Sequence, residues 1–122
     1  MLLTVLNPFA AKATHVDGET AISMVESENA VLVDVRDASE LDGGQKAQGA
    51  INIPLAALNH RANPRDPACD PALRRDRPIV LYCATGARSG MAGKVMRALG
   101  YEKVYDMGPL GAWANAGGMV VG

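Results

Sequence analysis

The sequence predicts an α/β domain with a mainly parallel central sheet covered by helices on both faces. Two observations carry that expectation. The runs Ala30-Val31-Leu32-Val33-Asp34-Val35 and Pro78-Ile79-Val80-Leu81-Tyr82 are continuously apolar and rich in β-branched residues, the pattern of strands buried on both faces. Segments with helical periodicity alternate with these runs along the chain, and such alternation favours parallel strands joined by helical crossovers.

Each element follows in order. The opening residues 1–10 are briefly apolar, but they lack a basic region and Asn7-Pro8 interrupts them, so no cleaved signal peptide is expected. His15-Val16 reads as a short strand, and Asp17 or Thr20 can cap a helix running through Ile22-Ser23-Met24-Val25. After the strand at 30–35, residues 50–54 form a shorter strand stopped by Pro54, and 55–60 a helical turn. Residues 63–78 are dense in Pro, Arg and Asp, which predicts a surface loop with a turn of helix at 71–75. The strand at 79–82 is central. A helix over 89–99 places Met91, Val95, Met96, Ala98 and Leu99 toward the sheet, Gly100 closes it, and Val104-Tyr105 is the last strand.

The chain of 122 residues is read as one domain, large enough to bury a core without staples. Its net charge of −1 gives no attraction for nucleic acid or an anionic membrane, and no apolar run reaches membrane-span length. Two cysteines do not make a disulfide framework at this size, so a reducing cytoplasm is the expected compartment. His15 and His60 are isolated from any Cys/His/carboxylate spacing that holds a metal, and there is no glycine-rich nucleotide loop. No metal and no resident cofactor are expected.

Chemistry concentrates in Tyr82-Cys83-Ala84-Thr85-Gly86-Ala87-Arg88-Ser89-Gly90, which joins the central strand to the following helix. A cysteine there faces unpaired backbone N–H groups and the positive end of a helix dipole, and both favour the reactive thiolate. The dipole supplies up to ~2 kcal/mol in a partly buried geometry, so direct hydrogen bonds must add to it. Gly86 lets the loop bend back, and Arg88 adds a fixed positive charge. A buried, inert cysteine is the commoner situation for this residue type; the Gly, Arg and Ser at helix-start spacing distinguish Cys83 from it.

At this point the chain resembles the single-domain rhodanese-like sulfurtransferases. The resemblance spans roughly residues 16–118 and rests on four motifs in order. These are Leu32-Val33-Asp34-Val35-Arg36, then Gly49-Ala50-Ile51-Asn52-Ile53-Pro54, then the loop from Cys83 to Ser89, and finally Gly100-Tyr101 with Val104 and the segment from Gly108 to Trp113. The resemblance implies a double displacement. Cys83 takes the outer sulfur of an anionic donor such as thiosulfate, becomes a persulfide, and passes that sulfur to cyanide or a thiol; a protein can serve as donor or acceptor. It also implies that the amides of Ala84, Thr85, Gly86, Ala87, Arg88 and Ser89 cradle the persulfide, with Arg88 orienting the donor. Thr85 and Ser89 are either hydroxyl donors to sulfur or helix caps.

The chain departs from the family pattern at three places. Ala84 stands where many members carry arginine. Gln45-Lys46-Ala47-Gln48 stands near the usual Gly-His-Ile, and Pro109 replaces a glycine before Trp113. Asp34 and Arg36 are expected to support the site edge through an ion-pair network, for example Arg36 with Glu40. Cys69 is expected to be a bystander thiol, and Tyr101 and Trp113 packing residues. Two rival functions are a persulfide carrier or non-catalytic interaction module, and a cysteine phosphatase or arsenate reductase. The latter sits less well with four rather than five residues between Cys83 and Arg88.

Overall fold

A computed structural model describes residues 11–122, so the expectation for residues 1–10 lies outside the described part. Five parallel strands form the sheet: β1 (Thr14–His15), β2 (Val31–Asp34), β4 (Ile51–Asn52), β5 (Ile79–Cys83) and β6 (Val104–Pro109), in the order β1-β6-β5-β2-β4. A separate antiparallel pair joins β3 (Lys46–Ala47) to β7 (Val120–Val121). The helices are α1 (Gly18–Ser27), α2 (Leu58–Arg61), α3 (Ala87–Ala98) and α4 (Leu110–Asn115).

The period-two alternation of the central strands creates two cores. Val31, Val33, Ile79, Leu81 and Cys83 face one side, where Leu58 of α2 and Ala92 and Met96 of α3 cover them. Leu32, Val80 and Tyr82 face the other, under Ala21 and Met24 of α1 and Trp113 of α4. Helices thus cover both faces, as the alternating pattern predicts. Asp17 is the residue that caps α1, its carboxylate accepting from the Thr20 amide at 2.8 Å.

Several local expectations are corrected. Met91 is 59 % exposed instead of packed. The inward residues of α3 are Ser89, Ala92, Gly93 and Met96, because the helix begins at Ala87 and its face is set by the close approach of small residues to the sheet. No helical turn forms at 71–75; instead Asp70 folds the segment, its carboxylate accepting from the Ala72 amide. That loop also buries Leu73, so it is more than surface. The chain does not end its strands at Tyr105: β6 runs to Pro109 and β7 follows. Two-residue strands such as β3 and β7 carry too little periodicity to be seen in sequence.

The sheet is arranged so that one strand end is special. Cys83 is the last residue of β5, which has β6 on one side and β2 on the other. A register shift lies beside Leu81 and Tyr82, where Leu81 pairs with Asp106 but Tyr82 pairs with Gly108. This bulge re-aims the end of β6 so that Gly108 closes against Gly86. In parallel sheets ligands bind beyond the carboxyl strand ends, which is where the Cys83 loop lies.

Candidate active site

The loop after β5 wraps the sulfur of Cys83. Cys83 is fully buried. Gly86, at φ +106°, turns the chain back so that its N–H donates to Cys83 Sγ at 3.0 Å. A side chain at that φ is strained, which explains glycine there. Gly86 is also the N-cap of α3, so the sulfur lies at the helix N-terminus. Burial pushes the Cys83 thiol up, but hydrogen bonds from the Ser89 amide and hydroxyl and from the Gly86 and Thr85 amides outweigh it, leaving its pKa below the ordinary value.

Ser89 is fully buried, with its Oγ 3.7 Å from Cys83 Sγ and 3.0 Å from the Gly86 carbonyl, to which its hydroxyl donates. Neither Ser89 nor Thr85 is the helix cap, since that position is Gly86. Thr85 contributes its amide, while its side chain is exposed, as are those of Ala84 and Ala87. Of the loop residues, only Arg88 carries a charge.

Arg88 does not stand free. Its guanidinium forms a fork with Glu40, Nη1 donating to Oε2 at 2.5 Å and Nη2 to Oε1 at 2.9 Å. Glu40 belongs to a 3-10 turn (Ala38–Leu41), and its Oε2 also accepts from the Asp37 amide at 2.9 Å. Arg88 holds the Glu40 carboxyl down to about 2, and Glu40 raises the pKa of Arg88 in turn. The expected Arg36–Glu40 pair is therefore replaced by Arg88–Glu40. Sequence proximity favoured Arg36, and nothing in the sequence brings positions 40 and 88 together.

Arg36 pairs instead with Asp34. Arg36 Nη2 donates to Asp34 Oδ2 at 2.7 Å, Nε donates to both carboxylate oxygens at 3.0 Å, and the Arg36 amide donates to Oδ1 at 2.9 Å. Both residues are buried, and the guanidinium reaches the Gln45 carbonyl and lies 6.0 Å from the Tyr82 ring centre. Asp34 pairs in register with Tyr82, on the sheet face opposite the Cys83 side chain. The two charges thus fold the turn after β2 and do not meet the sulfur. Asn52 locks the same turn, its Nδ2 donating to the carbonyls of Asp34 and Arg36 at 3.0 and 2.9 Å. Strand β2, this turn and Asn52 together deliver Glu40 to Arg88.

Cys69 is partly buried and its sulfur contacts the Asp70 carbonyl at 3.8 Å, within the 63–78 loop. Tyr101 and Trp113 are packing residues with satisfied polar ends: Tyr101 donates to the Ala62 carbonyl at 2.7 Å and Trp113 to the Met119 carbonyl at 2.8 Å. Among the described residues no cluster of His, Cys, Asp and Glu could hold a metal ion, and no helix is long and apolar enough to cross a membrane.

A parallel α/β sheet whose central strand ends in a cysteine that accepts from a loop amide defines a domain with a site that favours the thiolate. The model of the Rhodanese-like domain matches residues 17–116, and the chain belongs to that family. The thiosulfate sulfurtransferase GlpE of Actinobacillus succinogenes is 30 % identical over 105 residues, covering 85 % of this chain and 86 % of that protein. The uncharacterized protein YqhL of Bacillus subtilis is 38 % identical over 78 residues, covering 64 % of this chain; the match takes in 55 % of YqhL, so the chain spans about half of it. A solved structure of protein RPA3614 from Rhodopseudomonas palustris, described as a possible tyrosine phosphatase, superposes with a TM-score of 0.78 at 30 % identity. That superposition covers 89 % of this chain and 85 % of that one.

Proposed function

We propose that the protein is a sulfurtransferase that carries a sulfane sulfur on Cys83. The observation that carries this reading is the enclosure of Cys83 Sγ by the loop amides, with Gly86 N at 3.0 Å and the thiol held below its ordinary pKa. The Cys83 thiolate attacks the outer sulfur of thiosulfate. The Cys83 S–S bond forms, the donor S–S bond breaks, and sulfite leaves with the bonding pair. The resulting persulfide anion is held by the same amides and by the helix N-terminus, which stabilise negative charge on sulfur. Cyanide or a thiolate then attacks the outer sulfur, and Cys83 leaves as the thiolate it began as.

The loop suits sulfur better than phosphate. Four residues separate Cys83 from Arg88, and both guanidinium ends of Arg88 are taken by Glu40. A phosphate monoester must seat its phosphoryl oxygens within the ring of loop donors, whereas sulfur transfer leaves a single sulfur atom there.

The test is the intact mass of wild type and Cys83→Ala after brief incubation with thiosulfate or with cysteine persulfide, without reductant. One added sulfur on wild type alone, discharged by cyanide, is the expected result. An unmodified wild type with both donors overturns the reading, and the same adduct on Cys83→Ala overturns the choice of nucleophile.

A further inference from the structure

We infer that Glu40 sets the donor preference of the site, disfavouring the thiosulfate dianion and favouring a thiol-derived persulfide, RSSH or RSS⁻. The inference rests on the sulfur-transfer reading and narrows its donor.

The charges around the sulfur carry the argument. A thiolate that must meet a dianion needs cations to screen three negative charges. The loop offers one, Arg88, since position 84 is alanine. That guanidinium is engaged at both ends by Glu40, and Asp37 adds a second negative charge within range. The other arginine of this edge, Arg36, is buried against Asp34. Arg88, Glu40 and Asp37 together therefore present no net positive side-chain charge to a donor.

Glu40 is not a loose surface carboxylate that a donor can push aside at little cost. Its Oε2 is anchored twice, by the Arg88 guanidinium and by the Asp37 amide. The turn that carries it is fixed at its base by Asp34, Arg36 and Asn52. For thiosulfate to recruit Arg88, the fork must break and leave Glu40 facing the incoming sulfonate, a like-charge contact.

A persulfide avoids this conflict. The Cys83 thiolate attacks the outer sulfur of RSSH, the new Cys83 S–S bond forms and the donor S–S bond breaks. RS⁻ leaves and takes up the donor proton as RSH. One sulfur changes hands with no net oxidation, and at most one negative charge approaches. Glu40 acts through Arg88, so it is a positioning residue rather than a catalytic one.

The test compares wild type, Glu40→Gln and Ala84→Arg for kcat/KM with thiosulfate and with cysteine persulfide, with circular dichroism and melting to verify folding. In Glu40→Gln the thiosulfate-to-persulfide ratio of kcat/KM is expected to rise about tenfold, mostly through KM, and the gain to shrink with added salt. Ala84→Arg adds a cation without touching Glu40 and is expected to raise the same ratio, so it serves if Glu40→Gln does not fold. A ratio that stays constant or falls in the folded variants overturns the role of Glu40. Wild type that takes no sulfur from either donor strikes instead at the sulfur-transfer reading.

Discussion

Ser89 Oγ lies 3.7 Å from the sulfur of Cys83 and 3.0 Å from the carbonyl of Gly86, and its single proton can serve only one of them. With Cys83 as a thiol, the hydroxyl donates to Gly86 and accepts from the S–H. With Cys83 as a thiolate, rotation brings the same proton to the sulfur. Ser89 thus couples the ionisation of Cys83 to the loop backbone.

Ser89→Ala removes that donor while keeping the backbone amide. The titration midpoint of Cys83 is expected to move upward and the rate at neutral pH to fall by about threefold to tenfold, the worth of one hydrogen bond. Thiolate absorbance against pH, with Cys83→Ala as the blank for Cys69, reads the first effect, and steady-state rates read the second. An unchanged midpoint removes the hydroxyl from the thiolate's support.

The pH dependence follows from two lowered acids. Cys83 is held below the ordinary thiol value by its loop hydrogen bonds, so its thiolate and the transfer rate rise with pH and reach their plateau at lower pH than for a free thiol. Its contribution to stability has the sign of a depressed acid: present in full above the unfolded pKa, and lost as pH falls through the folded one. Glu40, held at about 2, stays ionised across the working range. A rate profile between about pH 3.5 and 9 is therefore expected to show a single rising limb, absent in Cys83→Ala; a second limb near pH 4.5 would mean that Glu40 is not held by Arg88.

Asp34→Ala leaves the Arg36 guanidinium buried without its counter-charge. The expected loss is about 3–5 kcal/mol of unfolding free energy, measured by urea titration. Replacing both partners together, Asp34→Leu with Arg36→Met, is expected to recover a large part of that loss. Recovery in stability without recovery in rate would show that the pair acts on the site by placing the turn that bears Glu40.

The central strands and the Cys83 loop were legible because their signals are local. A run of buried β-branched residues, a cysteine, a glycine at the bend and the start of an amphipathic helix all lie within about a dozen positions. Asp17 as a cap is likewise a short-range matter of one carboxylate and the amide three residues on. Met91 was misplaced because helical periodicity gives the spacing of a face but not its rotation about the axis. The approach of Ser89, Ala92 and Gly93 to the sheet decides that rotation.

From the sequence alone came the sheet, its order of alternation and the cysteine at the end of its central strand, because backbone period, strand composition and helix-start chemistry are properties of neighbouring residues. The partner of each charge was decided only by the tertiary structure. Glu40 and Arg88 are 48 positions apart, and Arg36 stands closer to Glu40 in sequence than to any other candidate acid but Asp34 and Asp37. The turn after β2 buries Arg36 against Asp34 and swings Glu40 outward to the loop after β5. Ion pairing depends on where side chains end in space, and that depends on which strands lie side by side.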